Sequence, residues 1–315
     1  MRQGAGGISS APFSLPMAEK KKFNYGGQAV IEGVMMRGRK ATVTAVRQPG
    51  GSVVMDIQPI SSAYSGRMRR IPLLRGVIVL IESLVLGTKS LYYSANMAMA
   101  EEKEEIPSRA IWGMVALALV LVVAIFFLAP LFLTRLANPL IPNPVTFNIV
   151  EGIIRLAIFI AYLKVISLLP DIKRVFAYHG AEHKTVNAYE AGVPLEVDDI
   201  RKYSTAHTRC GTNFLLVVMV IAILVFTFIG RPVFWLMVLS RIVLIPVIAA
   251  LGYEFIYFSA RHEHNRLVRI LMAPGLLLQS LTTGEPDDRQ MEVAIAALKK
   301  AVEIDQEEAV PIPSA

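Results

Sequence analysis

Ala110 to Leu133 is a run of 24 residues without one charged side chain. At about 1.5 Å of rise per residue, a helix over this run exceeds the roughly 20 residues needed to cross bilayer hydrocarbon. A buried core helix is a poor alternative for a charge-free stretch of that length. Three more stretches are candidates: Phe147–Leu169, Gly211–Gly230 and Pro232–Gly252. Phe147–Leu169 is the least typical, because it carries Glu151, Arg155 and Lys164. A charged fraction of only 18% and a mean hydropathy of +0.51 agree with a chain built largely for lipid.

Basic residues orient the spans. Residues 1–109, 170–210 and 253–315 hold 27 of the 32 Lys and Arg. The turns around 134–146 and 230–232 hold one each, Arg135 and Arg231. Positive charge stays on the cytoplasmic side. The expected fold is therefore an α-helical integral membrane protein with about four transmembrane helices in two hairpins and both termini cytoplasmic. The net charge of +7 is mostly topology, and it suits a face beside anionic lipid headgroups. Membrane lipids, and another membrane protein, are the expected partners. No RNA- or DNA-binding motif is present, so no nucleic acid is expected; the oligomeric state is not legible.

Residues 1–23 read as a disordered tail. They hold no apolar run of signal-peptide length, and Met17 is a second candidate start. Residues 24–70 read as a small cytoplasmic β unit. Gln28–Met36 alternates as one strand, with Val30, Val34 and Met36 on one face and Glu32 as an exposed strand carboxylate. Thr42–Arg47 and Val53–Ile57 flank Pro49-Gly50-Gly51-Ser52, a hairpin signal. Residues 71–100 read as an amphipathic, interfacial helix, and Glu101–Glu105 as a solvated linker. The membrane domain covers 110–252, with a cytoplasmic loop at 170–210. A cytoplasmic or interfacial segment covers 253–308, broken at Ala273-Pro274-Gly275, with an amphipathic helix from Asp287 to about Glu307. A loose tail, 309–315, ends the chain.

The chemistry concentrates in His179-Gly180-Ala181-Glu182-His183. Asp171 can cap a helix that ends near Gly192 and carries this stretch in its middle. Positions i, i+3 and i+4 share one helical face, so two imidazoles and a carboxylate point the same way. This is the inverted form of the zinc-protease HExxH arrangement. Two neutral imidazoles grip a divalent metal, zinc above all, and Glu182 is placed to take a proton from a water activated there. Against this stands the plain reading of two polar residues on a helix surface.

His207-Thr208-Arg209-Cys210, just before the third span, adds a pair with metal-binding spacing. Cys210 is the sole cysteine, so it forms no internal disulfide. It is either a thiolate ligand or a small buried residue. Glu254, just past the fourth span, is a further candidate ligand at the same membrane depth. Two His plus one acid or thiolate leave a position for water and imply catalysis. His179, His183, His207 and Cys210 together would close a tetrahedron and imply a structural metal. The sequence leaves both open. Glu151 and Arg155 pair at i, i+4, and Arg241 lies mid-span and needs a partner, for which Glu151 is the candidate; helix locking is preferred over transport. His262 and His264 read as a solvated face.

Four motifs carry a family likeness: Gly27-Gln28-Ala29-Val30-Ile31-Glu32-Gly33-Val34-Met35-Met36-Arg37-Gly38; Tyr178-His179-Gly180-Ala181-Glu182-His183-Lys184; His207-Thr208-Arg209-Cys210-Gly211-Thr212; and Ala273-Pro274-Gly275-Leu276 with Gln279 and Thr282-Thr283-Gly284-Glu285-Pro286. From about residue 24 to 300 the chain resembles the YqhQ-like family, a bacterial membrane family of unassigned function catalogued as metal-dependent enzymes on prediction. The resemblance implies His179, Glu182, His183, His207 and Cys210 as the site cluster, and draws Glu32, Arg37 and Arg209 toward it. The expected activity is metal-dependent and hydrolase-like, at the cytoplasmic membrane boundary. The alternative is a non-catalytic assembly or docking factor with a structural metal or polar latch.

Overall fold

The computed structural model describes residues 23–60, 71–99, 107–262 and 264–307. The expected N-terminal tail (but for Phe23), the run Glu101–Glu105 and the tail 309–315 lie outside the described residues. Strands β1 (Gly26–Val30), β2 (Gly33–Arg37), β3 (Ala41–Arg47) and β4 (Val53–Pro59) form an antiparallel meander. The Pro49–Ser52 turn joins β3 to β4 as expected. Gln28–Met36, however, is a hairpin rather than one strand. Ile31 and Glu32 make its turn, and Glu32 takes a left-handed φ of 52°. The tight turn pairs Val30 with Gly33, which reverses the expected parity. Val30 therefore packs with Met35 and Val46 on one face, while Val34 and Met36 pack on the other.

Both faces of the sheet are covered. Val34, Met36, Val43 and Ala45 meet Met291, Ala294 and Leu298 of the C-terminal helix. Val30, Met35 and Val46 lie under Tyr93 and Met97 of α1 (Leu74–Ala98). The helix expected to lie in the membrane interface thus uses its second half as a lid on the sheet, where Ser90 accepts a hydrogen bond from Thr44 at 2.9 Å.

Helices α2 (Ser108–Val123) and α3 (Ala129–Leu136) run on through a π turn at Ala124–Leu128. Pro130 has no N–H to give the Phe126 carbonyl four residues earlier. That carbonyl accepts instead from Arg155 Nε at 2.8 Å. Arg155 belongs to α4 (Pro144–Ile166), whose first turn is capped by Asn143. Then α5 (Pro170–Ala191) leaves α4 at 100°. After the single turn α6 (Val197–Ile200), α7 (Gly211–Ile229) runs unbroken. The expected span Pro232–Gly252 is broken: α8 (Phe234–Val243) and α9 (Ile245–Arg261) meet at 46°. Pro246, in the first turn of α9, cannot continue the ladder from α8. Arg109–Leu136 and Gly211–Ile229 are each long and apolar enough to cross a membrane. The bent pairs α4–α5 and α8–α9 qualify only when each is taken together, so candidate spans among the described residues number two to four.

The charges inside this layer join helices, as expected. Glu151 accepts from Arg155 at 2.5 Å and from Arg241 at 2.6 Å, and Arg241 also donates to Asn148 Oδ1 at 2.9 Å. Arg155 and Arg241 are at most 1% exposed. Phe226 of α7 lies under the Arg241 guanidinium, 4.2 Å from its ring centre.

The C-terminal segment departs from expectation once. α10 (Arg266–Leu278) continues through Pro274; the preceding helix ends earlier, at Arg261, and Asn265 caps the Leu267 N–H of α10. Gly275 serves close approach instead: a Cβ there would collide with Asn213 Oδ1 of α7. α11 (Asp288–Gln306) is the expected amphipathic helix. Asp287 and Gln290 form a reciprocal capping box at 2.8 and 3.0 Å. Asp287→Ala is expected to lower stability by about 1 kcal/mol, read as a lower thermal midpoint in detergent.

Candidate metal centre

Two glycines set α5 in place. Gly192 takes φ 77° and ends the helix where expected. Gly180 faces a backbone: a Cβ there would come within 2.0 Å of the Gly284 carbonyl oxygen. The absent side chain lets segment 282–285 lie on α5, where Gly284 N–H donates to Phe176 O at 2.7 Å. Asp171 is not the cap. The N-cap is Leu169, Pro170 opens the helix, and Asp171 sits in the first turn, where its charge meets the helix dipole.

The contact with 282–285 brings the Thr282 carbonyl to His179. His179 Nδ1 donates to it at 2.8 Å, and His183 Nδ1 donates to Thr205 O at 2.5 Å. A carbonyl oxygen only accepts, so both protons sit on Nδ1. In the neutral form of each ring, the form that binds a metal, the lone pair is then at Nε2. The ring centres are 4.4 Å apart. Cys210 Sγ lies 3.4 Å from His179 Nε2, and one donor atom from each of His179, His183 and Cys210 lies within 4.8 Å of the others. Cys210 is the N-cap of α7, and its sulfur also accepts from Thr212 N–H at 3.4 Å. Glu182 is 4% exposed, with Oε2 3.5 Å from His183 Nε2. A thiolate and two imidazoles at these separations suit zinc, which takes nitrogen and sulfur ligands together.

Of the remaining candidates, His207 and Arg209 line the same cavity but are turned to other partners, while Glu254 and Glu32 stand outside it. His207 Nε2 faces the Glu190 carboxylate at 3.5 Å, and its Nδ1 accepts from Arg209 N–H at 3.3 Å. Both ring nitrogens are thus engaged, and the ring centre is 5.6 Å from that of His183. Its peptide is held at both ends by the Gln279 amide, at 2.8 Å each way. Arg209 pairs with Glu190. Burial works against the charged Glu190, but His207 and Arg209 outweigh it and hold the carboxyl below the usual range. Glu254 takes Arg75 and the Leu73 N–H (3.0 Å) as its partners. Because α9 runs past residue 252, this carboxylate faces α1 and not the histidines. Glu32 is no free strand carboxylate: it binds Arg174 and lies 3.4 Å from Tyr178 Oη. His262 and His264 are exposed, as expected.

Arg37 does join the site. It pairs with the buried Glu82 at 2.7 Å on the wall of a cavity of about 690 Å³ that also contains His179, Glu182, His183 and Cys210. Leu163 and Ile166, in the last turns of α4, extend that wall toward the apolar layer. Sequence reading missed Glu82, Glu190 and the two carbonyls. Glu82 had a signal, as the lone charge inside an apolar helical block. A backbone acceptor has none.

A sheet-capped, mostly helical chain with apolar helices of spanning length, and an HxxEH helix where they begin, is the class defined here. The chain belongs to the family described as "Protein of unknown function (DUF1385)", which matches residues 71–304. It is 34% identical over 297 residues to the "Uncharacterized protein YqhQ" of Bacillus subtilis (strain 168), across 89% of this chain and 93% of that one. The YqhQ-like resemblance carried by the four motifs therefore holds. No solved structure matches the chain.

Proposed function

We propose that the chain is a multi-pass membrane protein that holds a divalent metal, zinc foremost, and uses it for hydrolysis at the cytoplasmic membrane boundary. The supporting topology is four spans in two hairpins, with both termini on the inner side where Lys and Arg concentrate. The single observation that carries the chemistry is the pair of Nδ1–H···O=C bonds, which leaves Nε2 as the remaining donor of each ring, with His179 Nε2 beside Cys210 Sγ and one donor atom of His183 within 4.8 Å of both. Three protein donors, with His207 occupied by Glu190, leave a coordination position for substrate or water. Bound metal would supply a Lewis acid. Glu182, beside one donor, would accept the proton of the attacking water. Arg37 would orient a polar group of the substrate, and the Leu163–Ile166 wall would accept its apolar part. Lipids and membrane-protein segments both have that character.

A structural-latch reading has one observation in its favour. The same residues stitch α5, the 201–210 loop and segment 279–284 together. Glu182→Gln separates the two. In zinc-loaded protein reconstituted with labelled lipid and peptide substrates, catalysis predicts full metal content and a drop in turnover of about 10²–10⁴-fold. Unchanged turnover, or loss of the metal, counts against Glu182 as the proton acceptor. Absence of turnover in the unaltered protein favours the latch.

A further inference from the structure

A second cavity, about 740 Å³, opens between the end of α9 and the flank of α10. Ser259 lines it, is 3% exposed, and its Oγ is a buried polar atom without a hydrogen-bond partner among the described residues. Buried hydroxyls are ordinarily satisfied, so an orphan on a cavity wall points to a missing ligand. Two arginines stand on the same wall, Arg266 and Arg269, both exposed. Among the described residues neither forms an ion pair. They occupy the first turns of a 13-residue helix whose dipole also favours an anion there.

The rest of α10 says what kind of anion. Val268, Met272, Gly275 and Leu278 face the protein. Leu267, Ile270, Leu271 and Leu277 do not: they are 61–75% exposed, and at helical spacing they form one outward stripe beside the arginines. A free phosphate would need the arginines but not the stripe. An apolar stripe bordered by basic residues is the pattern of a helix lying in a membrane interface, acyl chains on one side and headgroups on the other.

We propose that α10 lies in the interface and that the cavity holds the phosphate of an anionic phospholipid. Arg266 and Arg269 supply charge, Ser259 donates its hydroxyl proton, and the chains lie along Leu267, Ile270 and Leu271. This site is separate from the histidine cluster and does not depend on the metal.

The test is native mass spectrometry of the full-length protein purified in detergent with equal phosphatidylglycerol and phosphatidylcholine. The expected result is retention of phosphatidylglycerol, with preference falling about 25-fold in R266Q/R269Q at about fivefold per arginine. Ser259→Ala should lower retention while leaving bound metal unchanged. Inorganic phosphate at millimolar concentration should not displace the lipid; full displacement identifies a phosphate site instead. Equal retention of both lipids, or an unaltered preference in the double variant, overturns the proposal. If the double variant fails to fold, a nitroxide at Leu271→Cys in nanodiscs decides. Its depth should fall at the headgroup–acyl boundary, and a fully aqueous label overturns the proposal.

Discussion

His183→Ala is expected to strip the protein of its metal, with affinity falling about a thousandfold or more. Losing an outer partner of a metal ligand typically costs about 10–100-fold, and losing the ligand itself costs more. His183 is one of the three proposed donors, and its Nδ1–H also anchors the Thr205 carbonyl. The variant thus removes a proposed ligand and releases one end of the 201–210 loop. His207→Ala is the informative partner. Its ring nitrogens face Glu190 and the Arg209 N–H, so the variant should retain near-stoichiometric zinc by elemental analysis, with some loss of stability. If His207→Ala empties the site as thoroughly as His183→Ala, four ligands close the metal and the catalytic reading falls with it. Gel filtration and helix content of each variant separate metal loss from unfolding.

Glu151→Gln should be the most damaging single change in the apolar layer, at about 3–5 kcal/mol. Glu151 is the shared carboxylate of Arg155 and Arg241, all three at most 1% exposed. Neutralising it leaves two guanidinium groups buried beside each other without a counter-charge among the described residues, and with neutral partners alone: the new amide, Asn148, the Ser240 hydroxyl, the Phe126 carbonyl and aromatic faces. Thermal unfolding in detergent should show a much lower midpoint or no folded protein. Arg241→Met is the control, because it leaves a matched Glu151–Arg155 pair and should cost considerably less. A Glu151→Gln protein as stable as the parent would mean that the cluster does not lock the helices. The transport reading would then regain interest.

The difference between these sites also shows what a sequence discloses. The helical placement of His179, Glu182 and His183 was legible because 3.6-residue periodicity needs no tertiary knowledge. The Glu151–Arg155 pair was legible for the same reason, and Arg241 followed because a charge in hydrocarbon demands a partner. Glu254 was misplaced because membrane depth fixes one coordinate only. The bend at Pro246 and the continuation of α9 to Arg261 turn it toward Arg75. Glu32 was misread because the turn at Ile31–Glu32 carries no Asn-Gly or Asp-Gly signature, and a non-glycine residue takes the left-handed conformation. Pro274 looked like a helix breaker, but α10 runs through it. That Cys210 approaches His179 while His207 turns to Glu190 was out of reach, since it rests on Glu190 seven residues beyond His183 and on the carbonyls of Thr205 and Thr282.

X-ray absorption at the zinc edge of the purified, zinc-loaded full-length protein probes the donor set itself. One sulfur at about 2.3 Å and two imidazole nitrogens at about 2.0–2.1 Å are expected, with the sulfur shell lost in Cys210→Ser. A first shell without sulfur in the unaltered protein, or zinc that washes away as readily as from His183→Ala, would contradict the assignment of His179, His183 and Cys210 as a metal centre.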